Sequence, residues 1–389
     1  MNFDEIKDRR AIHSAKWGAL GARTGATADD AIAMWIADMD FDAPDCVLQA
    51  LRDEVDEGFL GYFGQDGPVN EAVCGWMAQR HGWPVEPSWI RYTHGVVAAF
   101  GSTLHAFSDP GDSIILFTPV YHAFFGKAAS MDREVLQSRL VLQDGAYHMD
   151  LESLAGQLTG REKIAVLCSP HNPGGRLWSD AEIKALAAFC CEHNLIMLSD
   201  EIHMDLTFPG VSHRPSAVAA PESTPYLITI TAASKSFNMA GMETGVTIIE
   251  DPDLRARFDA SEKVLGGMAN RFGMVMTKAA FTKGAEWSDA ARAYIADNFA
   301  IWSSRVGALP GIEVMGMHAT YLAWVNFEKT GLGIEEVTER LTQRARIGMS
   351  PGSQFGAGGD RYHRFNIAMP RARLMEAIER IEAAFADVT

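Results

Sequence analysis

Lys235, in AASKSFNMAG (232–241), follows a strongly apolar β-type run, which places it just beyond a strand end in a loop of small residues. An amine in such partly dry surroundings falls below its free pKa of about 10.4 and becomes a competent nucleophile for forming a Schiff base with a carbonyl. Asp200, in LSDEIH, ends another apolar run, where its carboxylate could pair with the nitrogen of an aromatic cofactor ring. Asn172, in SPHNPGG (169–175), follows a third run, and its amide could donate to a ring oxygen while Pro173, Gly174 and Gly175 turn the chain. Gly95, Val96 and Val97 open a predicted helix whose free N–H groups and dipole suit a phosphate. Tyr121, in FTPVYHAFF, could lay its ring on a flat aromatic partner. Arg364, in HRFNIAMP, could grip a carboxylate through two nitrogens. Singly, each has a commonplace reading as a solvated lysine, a capping aspartate, a turn, a core tyrosine or a surface arginine. It is their order along the chain that sets them apart.

The elements that must position these groups alternate in type from about residue 90. Short, nearly continuous apolar runs at 113–119, 163–170, 194–202, 226–234 and 245–251 read as strands covered on both faces. Helical patterns lie between them, as at 95–108 and 179–194, the latter opening with Ser179 and Glu182 at capping-box spacing. The expected fold class is therefore α/β, with a mostly parallel central sheet flanked by helices. Open sheets of this kind collect ligands outside the carboxyl ends of their strands, where Asn172, Asp200 and Lys235 are expected. After about residue 280 longer amphipathic helices take over, with strand-like runs reduced to 319–327 and 364–370, so a smaller α+β C-terminal domain is expected. The organisation read from this is an N-terminal arm over 1–45 that joins the small domain, a large domain over 46–280, and the small domain over 281–389. The Gly-rich GFLGYFGQDGP (58–68) reads as a loop.

Composition excludes several classes. The formal net charge of −16 disfavours nucleic acid as a partner, although a few local cations and backbone amides could still hold a small anion. No apolar stretch reaches the length of a membrane span, and MNFDEIKDRR lacks the apolar core of a secretory signal. Five cysteines, none in a CxxC pair, suggest reduced thiols in the cytoplasm, and the scattered histidines include no HExxH, so no metal site is expected.

Taken in order, a phosphate-type helix start, an aromatic, Asn-Pro-Gly, Asp after a strand, Ser-Lys after a strand and a late Arg resemble the fold-type-I enzymes of pyridoxal 5′-phosphate (PLP), the aspartate aminotransferase superfamily. Within it, MWIADMDF, TPVYHAFF, SPHNPGGRLW, SDEIHMDL, SKSFNMAG and RFNIAMPR, spread between residues 34 and 371, resemble the cystathionine β-lyase-type C–S lyases of the MalY/PatB branch. The resemblance implies that Lys235 carries PLP, Asp200 partners the pyridine nitrogen, Asn172 the ring oxygen, and that Tyr121 stacks on the ring. It further implies that Val96 and Val97 give backbone donors to the phosphate, with Ser234 as an additional contact, and that Arg364 binds the carboxylate of an amino-acid substrate. His203 stands where many aminotransferases have Tyr, which is the C–S lyase pattern. Tyr62, in LGYFG, is similar to the tyrosine that reaches the phosphate of a neighbouring subunit, implying a homodimer with active sites at the subunit interface. Glu243 departs from the family pattern, standing where many relatives have a phosphate-gripping arginine; an acid beside a phosphate is costly, so it is expected to face away. The implied activity is cleavage of cystathionine or related cysteine S-conjugates to thiol, pyruvate and ammonia. An aminotransferase is the alternative, followed by a regulatory protein that merely retains PLP. Substrate-sorting residues are expected around Trp35–Asp38 and 266–272.

Overall fold

A computed structural model describes all residues except Ala11, Gln65 and Gly266, the last being the first residue of the expected 266–272 sorting loop. In chain order its strands are β1 (Ile32–Ala33), β2 (Ile90–Thr93), β3 (Ser113–Thr118), β4 (Glu134–Arg139), β5 (Val141–Gln143) and β6 (Ala146–His148). They continue with β7 (Glu162–Cys168), β8 (Ile196–Asp200), β9 (Leu227–Thr231), β10 (Gly245–Ile248), β11 (Glu313–Val314), β12 (Leu322–Asn326), β13 (Ile347–Gly348), β14 (Ser350–Pro351) and β15 (Tyr362–Asn366).

Seven of these form the large sheet in the order β2-β10-β9-β8-β7-β3-β4. All neighbours are parallel except β10, which runs against both β2 and β9. The interior strands are buried residue by residue, and alternate side chains feed separate cores. Ile115, Phe117, Ala165 and Leu167 pack on one face with Ile183 and Leu186 of the helix Asp180–Glu192. Ile114, Leu116, Ile164 and Val166 pack on the other with Phe100 and Leu104 of the helix Val96–Phe107. Continuous apolar runs are what a strand needs when both of its faces are covered. The expected capping box is present: Ser179 N–H donates to Glu182 at 2.9 Å, and Glu182 N–H donates back to the Ser179 hydroxyl at 3.3 Å.

A smaller C-terminal unit carries the antiparallel sheet β11-β12-β15-β14, packed by the helices Ala285–Val306 and Arg371–Ala384. The arm joins this unit, since β1 pairs in parallel with β13 through Ile32↔Ile347. That pairing draws residues 34–41 as a strap between the two sheets. Strap carbonyls are held almost one by one: Trp35 by Ser350, Ile36 and Asp38 by Asn366 (2.7 Å each), and Met39 and Phe41 by both Arg9 and Asn238. Fully buried Lys16 donates to Asp38 O at 2.8 Å and pairs with Asp40 at 2.9 Å. Apart from that ion pair, these bonds satisfy backbone acceptors that no ladder reaches. Among the described residues, no helix is long and apolar enough to cross a membrane.

Candidate active site

The carboxyl ends of β2, β3, β7, β8 and β9 open onto one cavity of about 610 Å³. Its opposite wall is made by Trp35–Ala37 of the strap, Met349–Pro351 and Arg364. Gly95, Val96, Val97, Tyr121, Asn172, Asp200, His203, Ser234, Lys235 and Arg364 all line it, although they come from points as much as 269 residues apart. Tyr62 does not line it; it is 95% exposed on the outer loop that precedes the helix Gly67–His81.

Lys235 begins one short turn beyond β9, and its Nζ donates to the Ala37 carbonyl at 2.8 Å. Protein packed around the amine drives its pKa down to about 8, with Arg364 pushing the same way and Asp38 and Asp200 opposing. Asp200, the last residue of β8, is buried, and among the described residues its carboxylate accepts one hydrogen bond, from Ile202 N–H at 3.2 Å. Burial lifts its pKa to about 7, Glu201 adds to the rise, and the Ile202 N–H and Lys235 restrain it. A carboxylate so placed calls for a cationic donor. Buried His203 is held neutral, its pKa pulled to about 3 by burial and then by Lys235 and Arg364, and its Nδ1 has no partner among the described residues.

Arg364 lies on β15, opposite Trp324, and reaches across to the large unit. Its Nη1 donates to Asn172 Oδ1 at 3.0 Å and its Nη2 to Trp35 O at 3.0 Å and to the Ser350 hydroxyl at 3.3 Å, while the Phe355 ring lies 4.8 Å from the guanidinium carbon. Its Nε–H is buried with no partner among the described residues, a donor available to a carboxylate. The bond from Arg364 also fixes Asn172, whose Oδ1 is engaged and whose Nδ2 remains as a donor. At the far end, Gly95 has φ +80° and caps the helix Val96–Phe107, whose first N–H groups have no intrahelical acceptor.

Glu243 corrects the expectation that it faces away. It lines the cavity beside Gly95, and its carboxylate meets His94 Nε2 at 2.5 Å. A left-handed backbone at Glu243 (φ +45°) after the turn 240–242 brings the side chain back towards that imidazole. Both side chains remain more than half exposed, so the carboxylate borders the cavity and solvent alike. Sequence reasoning also passed over Arg23, His94, His122, Cys168, Thr244 and Gln354 as cavity residues. Only Cys168, at the end of an apolar run, carried a positional signal.

A mostly parallel α/β sheet whose strand ends carry a lysine and an aspartate, met by an arginine from the smaller sheet, defines an enzyme of amino-acid chemistry. The chain belongs to the aminotransferase class I and II family, which it matches over residues 29–381. It is 38% identical to the cystathionine beta-lyase PatB of Bacillus subtilis (strain 168), over 99% of this chain and 100% of that one. Cystalysin from Treponema denticola, described as containing a pyridoxal 5′-phosphate cofactor, superposes with a TM-score of 0.95 at 31% identity, covering 100% of this chain and 99% of its own. A PLP-bound C-S lyase from Staphylococcus hominis gives 0.91 at 30% identity, covering 100% and 98%.

Proposed function

We propose that this chain is a PLP-dependent C–S β-lyase converting a cysteine S-conjugate and water to a thiol, pyruvate and ammonia. One observation carries the reading: Lys235, Asp200 and Arg364 converge on one cavity in a chain 38% identical to a cystathionine β-lyase. The cavity residues fit PLP. Asp200 is a buried carboxylate with a raised pKa, suited to a ring N–H; Asn172 retains an amide donor for the ring oxygen; and the first N–H groups of the helix Val96–Phe107, with Ser234, suit the phosphate. Tyr121 lines the same space for stacking, and Lys235 would hold the aldehyde carbon.

Bound there, PLP supplies a sink for the electron pair left at Cα. The protein does the rest. Arg364, anchored by Asn172 and Trp35, takes the substrate carboxylate and fixes Cα over the lysine. The Lys235 amine, brought to about 8, has the basicity to hold the Cα proton near neutral pH. The Ala37 carbonyl steers that amine in the meantime. His203, neutral and buried, adds no competing charge beside Lys235.

The proposal includes a homodimer in which Tyr62 completes the partner's phosphate site. Supporting this, Phe59, Leu60 and Tyr62 expose large apolar surface, and Arg271 bonds Gly61 O at 3.3 Å, tying that loop to the segment where Val264, Leu265 and Met268 are also exposed. A small amino acid is the proposed partner at the cavity, and five free cysteines suit a reducing, cytoplasmic setting. Release of pyruvate from L-cystathionine, read with a coupled lactate dehydrogenase, tests the activity. Conversion of a keto acid to an amino acid with no pyruvate would instead mark an aminotransferase, and PLP retention without any turnover a regulatory protein.

A further inference from the structure

Lys235, Asp200, His203 and Arg364 are spoken for by the proposed chemistry. Glu243 and His94 pair with one another at the phosphate end. His122 is held neutral, its pKa depressed by desolvation and by Arg364. One charge is left over. Arg23 lines the cavity and is exposed, and its guanidinium has neither a carboxylate nor a hydrogen-bond partner among the described residues.

We propose that Arg23 is a specificity-determining residue, receiving a second, distal carboxylate carried on the thiol half of the substrate. The inference rests on the β-lyase reading and names the substrate class within it: S-conjugates of cysteine whose sulfur substituent ends in an anion.

Placement of Arg23 is built into the fold. It sits on the short helix Leu20–Thr24, closed by Gly25 in the left-handed conformation, whose carbonyl is tied down by Gln343 at 2.9 Å. Leu20 and Thr24 close over Gly348 so tightly that a Cβ there would lie 2.3 Å from Leu20 Cδ1 and 2.5 Å from Thr24 Oγ1. Gly348 immediately precedes the cavity wall Met349–Pro351. The helix is thus clamped to the wall of the cavity where Ser350 and Trp35 hold Arg364. An amino acid whose α-carboxylate is on Arg364 would carry its sulfur substituent outward from this wall. A guanidinium is the side chain best matched to a carboxylate arriving there.

The test uses the holoenzyme and a matched pair differing in one group, S-(2-carboxyethyl)-L-cysteine and S-propyl-L-cysteine. Arg23→Met should lower kcat/KM for the carboxylated compound about tenfold or more, chiefly through KM, the loss expected for one charge-assisted hydrogen bond. S-propyl-L-cysteine should be unaffected, and Arg23→Lys should keep part of the preference. Equal losses on both compounds, or no loss on either, would overturn the assignment. Binding is read separately by calorimetry with 2-aminopimelate and 2-aminoheptanoate, in which a methylene replaces sulfur and no thiolate can leave. A preference for 2-aminopimelate that disappears in Arg23→Met supports Arg23 even if neither cysteine derivative yields pyruvate, in which case the lyase reading alone fails. Equal affinities for the two analogues in the unsubstituted protein would refute the role of Arg23 whatever the turnover.

Discussion

Consider Asp200→Asn in the cofactor-free protein. Burial lifts the Asp200 pKa from 3.8 to about 7, so the folded state keeps the proton that the unfolded chain has already lost. Between about pH 4 and pH 7 the folded form binds the extra proton, and stability falls as the pH rises through that window. A shift of about 3 units corresponds to roughly 4 kcal/mol, fully incurred above pH 7 and absent below the unfolded pKa. Asparagine is neutral throughout and can still accept the Ile202 N–H through its Oδ1, so the substitution removes this penalty without orphaning the donor. Urea unfolding of the stripped wild type and variant, followed by circular dichroism, should show a gap favouring Asn of about 1–2 kcal/mol at pH 5. That gap should widen through pH 7 and then level off near 4 kcal/mol. With PLP bound the order should reverse, because a ring cation would turn the buried carboxylate from a burden into a partner. A gap independent of pH, or a variant less stable than wild type when stripped at pH 8, would refute the argument that desolvation governs this group.

Other expectations follow from the same cavity. In the cofactor-free protein, acylation of Lys235 mapped by mass spectrometry should rise through about pH 8, more than two units below an exposed lysine, because burial disfavours its charged form; a midpoint near 10.5 would contradict this. Arg364→Lys keeps a charge but cannot reach Asn172, Trp35 and the substrate together, so kcat/KM should fall about a hundredfold, as for two lost charge-assisted bonds. Glu243→Gln removes a carboxylate beside the phosphate-type helix start, and PLP should bind up to about fivefold more tightly at low salt, with the gain shrinking as salt is added. A titration of stripped protein with PLP at two ionic strengths checks both halves of that statement.

How far the chain could be read in advance depends on where each element sits in the sheet. The five interior strands were legible because both of their faces are buried, which forces uninterrupted apolar runs such as Ser113–Thr118. Within the large sheet the two strands without such a run, Ile90–Thr93 and Glu134–Arg139, are its two edges. Edge strands keep a solvent face and tolerate Arg91, Glu134 and Arg139, so their pattern dissolves into that of a loop. The helix Gly67–His81 does carry one buried stripe, Val69, Val73, Trp76 and Met77 at helical spacing, but Cys74 and Ala78 put apolar residues off that face as well and blur the contrast.

The cavity divides along the same line. Asn172, Asp200 and Lys235 could be found because each ends a buried strand or lies within four residues of its end, so the end of an apolar run marks the place where a polar group meets a ligand. Arg23 left no such mark. It reaches the cavity only because β1 pairs with β13 and the helix Leu20–Thr24 closes on Gly348, contacts spanning more than 300 residues of sequence. The strap is the intermediate case. MWIADMDF was recognisable as a phrase, yet its purpose lies in its carbonyls, which accept from Lys16, Asn238, Ser350, Arg364, Asn366 and Lys235 itself. Backbone acceptors are identical in every residue and so are invisible in a sequence; only the donors have names. The chemistry of this protein is thus written at strand ends, whereas its selectivity is written in the packing of the arm against the C-terminal sheet. A substitution that loosens that packing, such as Gly348→Ala against Leu20 and Thr24, should therefore erode discrimination between anionic and neutral S-conjugates well before it erodes turnover of either. Loss of turnover with discrimination intact would show that the arm serves the reacting centre instead.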